Sequence, residues 1–108
     1  MSLPVQTTPE ADTQIREIDD WWRRNRGASP DMFLDEFAAA CDLIGAGPSI
    51  GHPYRKSPVM GVRRVLMTRS RYHVYYVATD HEIRVLAVWH GRRGSGPPEQ
   101  TRPASAPA

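Results

Sequence analysis

One segment near the C-terminal end limits the possible folds more than any other: Ile83-Arg84-Val85-Leu86-Ala87-Val88-Trp89-His90-Gly91-Arg92-Arg93. Its aliphatic, β-branched content reads as a strand. Apolar residues stand at both odd and even positions, so neither face is left to solvent and the strand is mostly buried. Such a strand is expected at the centre of a sheet. It ends abruptly in His-Gly-Arg-Arg, which puts positive charge at the mouth of a rigid element rather than on a loose tail. A small protein places a group there to meet phosphate, nucleic acid or an acidic partner.

Two more strands precede it. Val62 to Thr68 is the first and Tyr72 to Ala78 the second, joined at Arg69-Ser70-Arg71. The turn at Thr79-Asp80-His81 leads into the third, which runs from Glu82. Such short links imply an antiparallel meander. Residues 2–7 are a further short strand candidate.

Between these strands lie two helical patterns. Thr8-Pro9-Glu10 combines an N-cap, a proline at the first helical position and an acid in the first turn. Ala11, Ile15, Ile18 and Trp22 then recur on one face, with Trp21 at its rim. Asn25-Arg26-Gly27 ends this helix. Ser29-Pro30-Asp31 repeats the start signal. Phe33, Phe37, Ala40, Cys41 and Ile44 form the second apolar face, and Gly45 and Gly47-Pro48 stop it. Cys41 reads as a small core residue. A loop rich in Gly and Pro fills 45–60.

The expected architecture is α+β in the order β-α-α-β-β-β. A two-helix antiparallel hairpin packs on one face of a small, mainly antiparallel twisted sheet, because each helix has a single apolar stripe to bury. The opposite face is left partly polar. Residues 1–93 are read as one domain and 94–108, rich in Gly, Pro, Ser and Ala, as a disordered tail.

The formal charge of +2 hides a segregation: residues 1–50 carry −5 and residues 51–108 carry +7. Thirteen of the 14 cations are arginine, which binds carboxylate and phosphate through a planar fork. No apolar run approaches the roughly 18 residues of a membrane span, and no basic-then-apolar leader opens the chain. The expectation is a cytoplasmic domain. The histidines are scattered, with no acid or cysteine at ligand spacing, so neither a metal nor another cofactor is expected.

With these elements in place, the chain resembles the RelE/ParE superfamily of bacterial toxins from type II toxin–antitoxin pairs. The resemblance spans roughly residues 3–94. It rests on the element order and on the first helix, Ala11-x3-Ile15-x2-Ile18-x3-Trp22. The strands Gly61-Val62-Arg63-Arg64-Val65-Leu66 and Tyr72-His73-Val74-Tyr75-Tyr76-Val77 add to it, as does Val85 to Arg93 with its His-Gly-x-Arg ending. The resemblance implies one of two activities. RelE-like toxins cleave messenger RNA in the ribosomal A site, whereas ParE-like toxins act on DNA gyrase. It also implies a cognate antitoxin, and contact with operator DNA only through the antitoxin complex.

Metal-free RNA cleavage needs a base, cations for the transition state and an acid for the leaving oxygen. In a RelE-like nuclease these roles would fall to His90, Arg92, Arg64 and His73. Yet no aromatic residue follows Trp89, and the lysine pair of RelE-like strands is absent from 61–69. The ending looks more like the ParE-like branch. In that reading Arg63, Arg64, Tyr76, Arg92 and Arg93 contact the target or the antitoxin. The residues themselves leave alternatives open. His90 is either an acid–base group or a strand-end cap. The tyrosines either stack on bases or pack in the sheet. His52 and His81 lie in loops and read as solvated.

Overall fold

The computed structural model describes residues 2–90. Arg92, Arg93 and the tail expected over 94–108 therefore lie outside the described residues. The elements are β1 (Val5–Thr7), α1 (Pro9–Asn25), α2 (Met32–Ala46), β2 (His52–Pro53), β3 (Arg63–Leu66), β4 (Tyr72–Ala78) and β5 (Ile83–His90). The strands form one sheet in the order β1-β5-β4-β3-β2. Strands β2 to β5 pair antiparallel, and β1 joins β5 in parallel through Val5–Ile83, Gln6–Arg84 and Thr7–Val85. The α+β architecture with both helices on one face is as expected. Strand β5 is interior, between β1 and β4, but the middle strand of the five is β4, because the two-residue β2 adds a strand beyond β3.

Helix α1 starts as its sequence dictates. The Thr8 side chain accepts from the Ala11 amide at 3.1 Å, Pro9 opens the first turn, and Arg23 and Arg24 stand in the last turn. Helix α2 differs from its expected bounds at both ends. Ser29-Pro30-Asp31 forms turns, and the helix begins at Met32. Asp31 makes no side-chain cap and instead pairs with Arg23 at 2.8 Å, tying the two helices together. At the other end the helix runs through Gly45 to Ala46. The chain entering β1 crosses this point: the Leu3 amide donates to the Gly45 carbonyl at 3.0 Å, and a Cβ on Gly45 would lie 2.8 Å from the Leu3 oxygen.

The main core lies between the helices and the sheet. Ala11 and Ile18 of α1, and Phe33, Ala40 and Ile44 of α2, pack on Val74 and Tyr76 of β4 and on Ile83, Val85 and Val88 of β5. Cys41 is half-buried at the edge of this layer, and burial, aided by Asp42, pushes its thiol up to about 11. That is the behaviour of a packing residue, not of a nucleophile.

A second, smaller cluster occupies the other face: Val62, Tyr75, Leu86 and Ala87, covered by Tyr54 and Val59 from the loop between β2 and β3. This face is therefore not left bare, as the sequence suggested, but partly roofed. A register shift produces the cluster. Tyr75 pairs with Ala87 and Tyr76 with Val85, so Leu86 has no partner in β4. The extra residue is a β-bulge. It puts Leu86 and Ala87, neighbours in sequence, into the same cluster, whereas strict alternation would send them to opposite faces. The apolar residues at both odd and even positions of β5 are the sequence trace of this bulge.

Candidate functional site

Arg64 is the focus of the roofed face. It stands opposite Tyr75 in the β3–β4 ladder. One Nη donates to the Tyr75 hydroxyl at 3.2 Å, and the guanidinium carbon lies 5.2 Å from the Tyr54 ring centre and 5.9 Å from that of Tyr75. Two aromatic faces hold the cation in place. Burial raises the Tyr75 phenol, and Arg64 partly opposes that rise. His73 lies two residues earlier on β4, opposite Leu66 and Trp89, with its ring 5.9 Å from that of Tyr75. Burial lowers its pKa below the ordinary value, and the charges of Arg64 and His90 lower it further. The imidazole is thus held neutral at neutral pH, with a buried Nδ1 that has no hydrogen-bond partner.

The other face presents a pocket of about 590 Å³ between α1, the β3–β4 turn and the ends of β4 and β5. Trp21, Trp22 and Arg26 line it from the helix, Arg69 and Arg71 from the turn, and His90 from the strand end. The turn is held by Glu36 of α2, whose two carboxylate oxygens accept from the amides of Arg69 (2.7 Å) and Ser70 (2.9 Å). Arg71 takes the left-handed conformation (φ 70°) that closes it.

The sequence-derived candidates separate accordingly. Arg64 and His73 share the roofed face. His90 points to the helix side, its ring edge-on to Tyr72 at 5.0 Å. Side chains alternate along a strand, and His73 pairs with Trp89, one residue short of His90. The two histidines and Arg64 therefore do not form one constellation. Tyr76, expected as a contact for a partner, is fully buried. Its hydroxyl donates to the Pro48 carbonyl at 2.7 Å and accepts from the Gly51 amide at 3.0 Å. Arg63 is engaged in the same place, donating to the carbonyls of Gly51 (2.6 Å) and Ser49 (3.3 Å). Both residues pin the loop after α2; Tyr76 is too enclosed to meet a partner, whereas Arg63 remains half-buried.

The sequence reading missed Gln14 and Ser70 on the pocket lining, and Glu36, which holds the turn beside it. Gln14 left a trace, since it stands three residues after Ala11 and four before Ile18, a polar residue on an apolar stripe. Glu36 and Ser70 are brought together by tertiary packing alone.

Among the described residues no group of His, Cys, Asp and Glu could hold a metal ion, and no helix is long and apolar enough to cross a membrane.

The sequence matches the family described as the ParE toxin of the type II toxin–antitoxin system parDE over residues 5–94. A chain from the chromosomal ParDE toxin–antitoxin system of P. aeruginosa is similar in structure, with a TM-score of 0.67 at 18% identity, over 82% of this chain and 96% of that one. No curated protein matches. Two helices on one face of a five-stranded mixed sheet thus place the protein in the fold class found in that system. By its sequence, the chain belongs to the ParE toxin family of type II toxin–antitoxin systems.

Proposed function

We propose that this protein is a toxin that acts on DNA gyrase to block replication and is neutralised by a cognate antitoxin, with operator DNA reached only through the complex. The observation that carries the choice against RNA cleavage is the separation of His90 from Arg64 and His73 on opposite faces of the sheet. In-line cleavage at one phosphate needs its base, acid and cations around a single point.

In this reading the roofed face meets gyrase. Arg64 is fixed there between Tyr54 and Tyr75, and Leu66 on the same strand face and Met60 in the adjoining loop are exposed. An arginine held by aromatic residues, with apolar neighbours, is the usual make-up of an interface hot spot. Arg92 and Arg93 follow β5 in sequence and are assigned to the same contact.

A paired assay on the purified protein tests the reading. Gyrase supercoiling should be inhibited and then restored by the antitoxin, while messenger on programmed ribosomes stays intact. Ribosome-dependent cleavage with unimpaired supercoiling would replace the gyrase reading with the nuclease one.

A further inference from the structure

Three residues that line the helix-side pocket each carry an enclosed polar atom without a hydrogen-bond partner: the Gln14 amide nitrogen, the Trp22 indole nitrogen and the Ser70 hydroxyl. Gln14 and Ser70 are more than nine-tenths enclosed, at 8% and 5% exposure. The Gln14 amide is oriented by its own backbone bond: Oε1 accepts from the Val88 amide at 2.8 Å, which leaves Nε2 as the free end. An unpaired buried donor bears its full desolvation cost, so three on the lining of one cavity call for an explanation, and something that enters it supplies one.

All three can donate, and two can only donate. Their counterpart must accept several hydrogen bonds at once. The charges around them agree: Arg26, Arg69 and Arg71 line the pocket, with Glu17 as the one acid on the described lining. A carboxylate fits both requirements, since it accepts at two oxygens and carries one negative charge. The rim specifies more. Trp21 is 43% exposed, and Arg26 lies 5.8 Å from its ring centre and 5.5 Å from that of Trp22. A small free carboxylate would satisfy the buried donors and leave this apolar rim uncovered. An acidic side chain flanked by an apolar one covers both.

We propose that this pocket is a carboxylate-reading site that takes an acidic side chain with an apolar neighbour from a segment of a partner polypeptide. Identifying that partner as the antitoxin rests on the toxin reading above; the chemistry of the site does not. An occupant here also touches His90, the residue that leads into Gly91-Arg92-Arg93, so docking and control of the basic pair are adjacent in the chain.

The test has two arms on the full-length protein. In the first, N-acetyl-Leu-Glu-Leu-amide is titrated while the three tryptophan indole N–H resonances are followed by NMR, with Trp22→Phe assigning the Trp22 signal. The Glu peptide should shift the Trp22 resonance progressively, and the Gln counterpart should not. An unmoved resonance, or equal shifts from both peptides, would overturn the site. An equal shift from acetate at the same concentration would overturn its assignment to a polypeptide.

In the second arm the antitoxin is titrated into the wild type, Gln14→Glu and Trp22→Phe. Gln14→Glu keeps the acceptor for Val88 and replaces the donor with a repelling oxygen. Trp22→Phe keeps the ring and removes only the N–H, which preserves the test should the glutamate destabilise the fold. Each variant should bind about tenfold more weakly, as the loss of one charge-assisted hydrogen bond implies. Unchanged affinity in both would overturn the proposal. A peptide response without any antitoxin binding would uphold the site and remove the toxin reading instead.

Discussion

Adjacent tyrosines on the central strand show how differently the two faces of this sheet are built. Tyr76 enters the helix-side core, is fully enclosed, and has its hydroxyl satisfied from both sides by Pro48 and Gly51. Tyr75 goes to the other face, nearly as buried, but under a loop, with its hydroxyl engaged by the side chain of Arg64. The first face is packed by two helices through apolar contacts. The second is roofed by residues 54–62 and organised around a cation. A layer closed by helices offers the described pocket beside α1 and the exposed Trp21 and Leu43 on the helices themselves. A layer closed by a loop presents an arginine and exposed apolar side chains. The two half-buried arginines of β3 differ in what holds them: Arg63 bonds backbone carbonyls, whereas Arg64 is held by the Tyr75 hydroxyl and two aromatic rings.

The largest test of this contrast is a pair of truncations. Tyr76→Ala should cost about 3–5 kcal/mol and Tyr75→Ala about 2–3 kcal/mol, because a loop-covered site collapses more readily than a helix-packed one. Urea denaturation reads both; equal costs would mean that the roofed cluster is as rigid as the core. Gly51→Ala should follow, at about 1–3 kcal/mol, since the new Cβ would lie 2.7 Å from the Tyr76 hydroxyl and 3.0 Å from the Arg64 carbonyl. Smaller still is Glu36→Gln, which removes one acceptor from the β3–β4 turn at a cost of about 1 kcal/mol. Its sharper signature is faster amide exchange at Arg69 and Ser70, without a change around Tyr75.

The smallest effect concerns charge. The folded-state pKa of His73 lies below the unfolded value, so the unfolded chain takes up the proton first. Stability from this group is complete above the unfolded pKa, near 6.5, and falls as pH drops below it toward the folded value. His73→Gln should flatten that acid-side decline. Arg64→Gln should move the His73 pKa upward in an NMR titration, because a neighbouring cation is gone; an unmoved pKa would show that the two do not share a face in solution.

Much of this architecture is legible in the sequence, and the exceptions have physical causes. Thr8-Pro9 marks the start of α1 because capping is local chemistry, and short turns fix the β3-β4-β5 meander. The parallel placement of β1 beside β5 involves residues nearly eighty positions apart, which no local pattern encodes. It makes β5 an interior strand, while the short β2 beyond β3 shifts the middle of the sheet to β4. The bulge at Leu86 broke the alternation that assigns faces, and the start of α2 falls not at Ser29 but at Asp31, whose side chain serves an ion pair. At the sites, strand alternation alone puts Arg63 and Arg64 on opposite faces of β3. It could not say that Arg63 would find the carbonyls of Ser49 and Gly51, or that Tyr76 would be sealed beneath the same loop. The donors around the pocket became visible only when α1 and the β3–β4 turn were brought together.

The central claim is that the roofed face, through Arg64, meets gyrase. Its most direct test is a supercoiling titration of wild type against Arg64→Gln, with melting curves confirming that both are folded. The account predicts inhibition by the wild type and about tenfold weaker inhibition by the variant, as expected for loss of an arginine hot spot. Equal inhibition by both folded proteins would contradict it and place the contact elsewhere on the molecule.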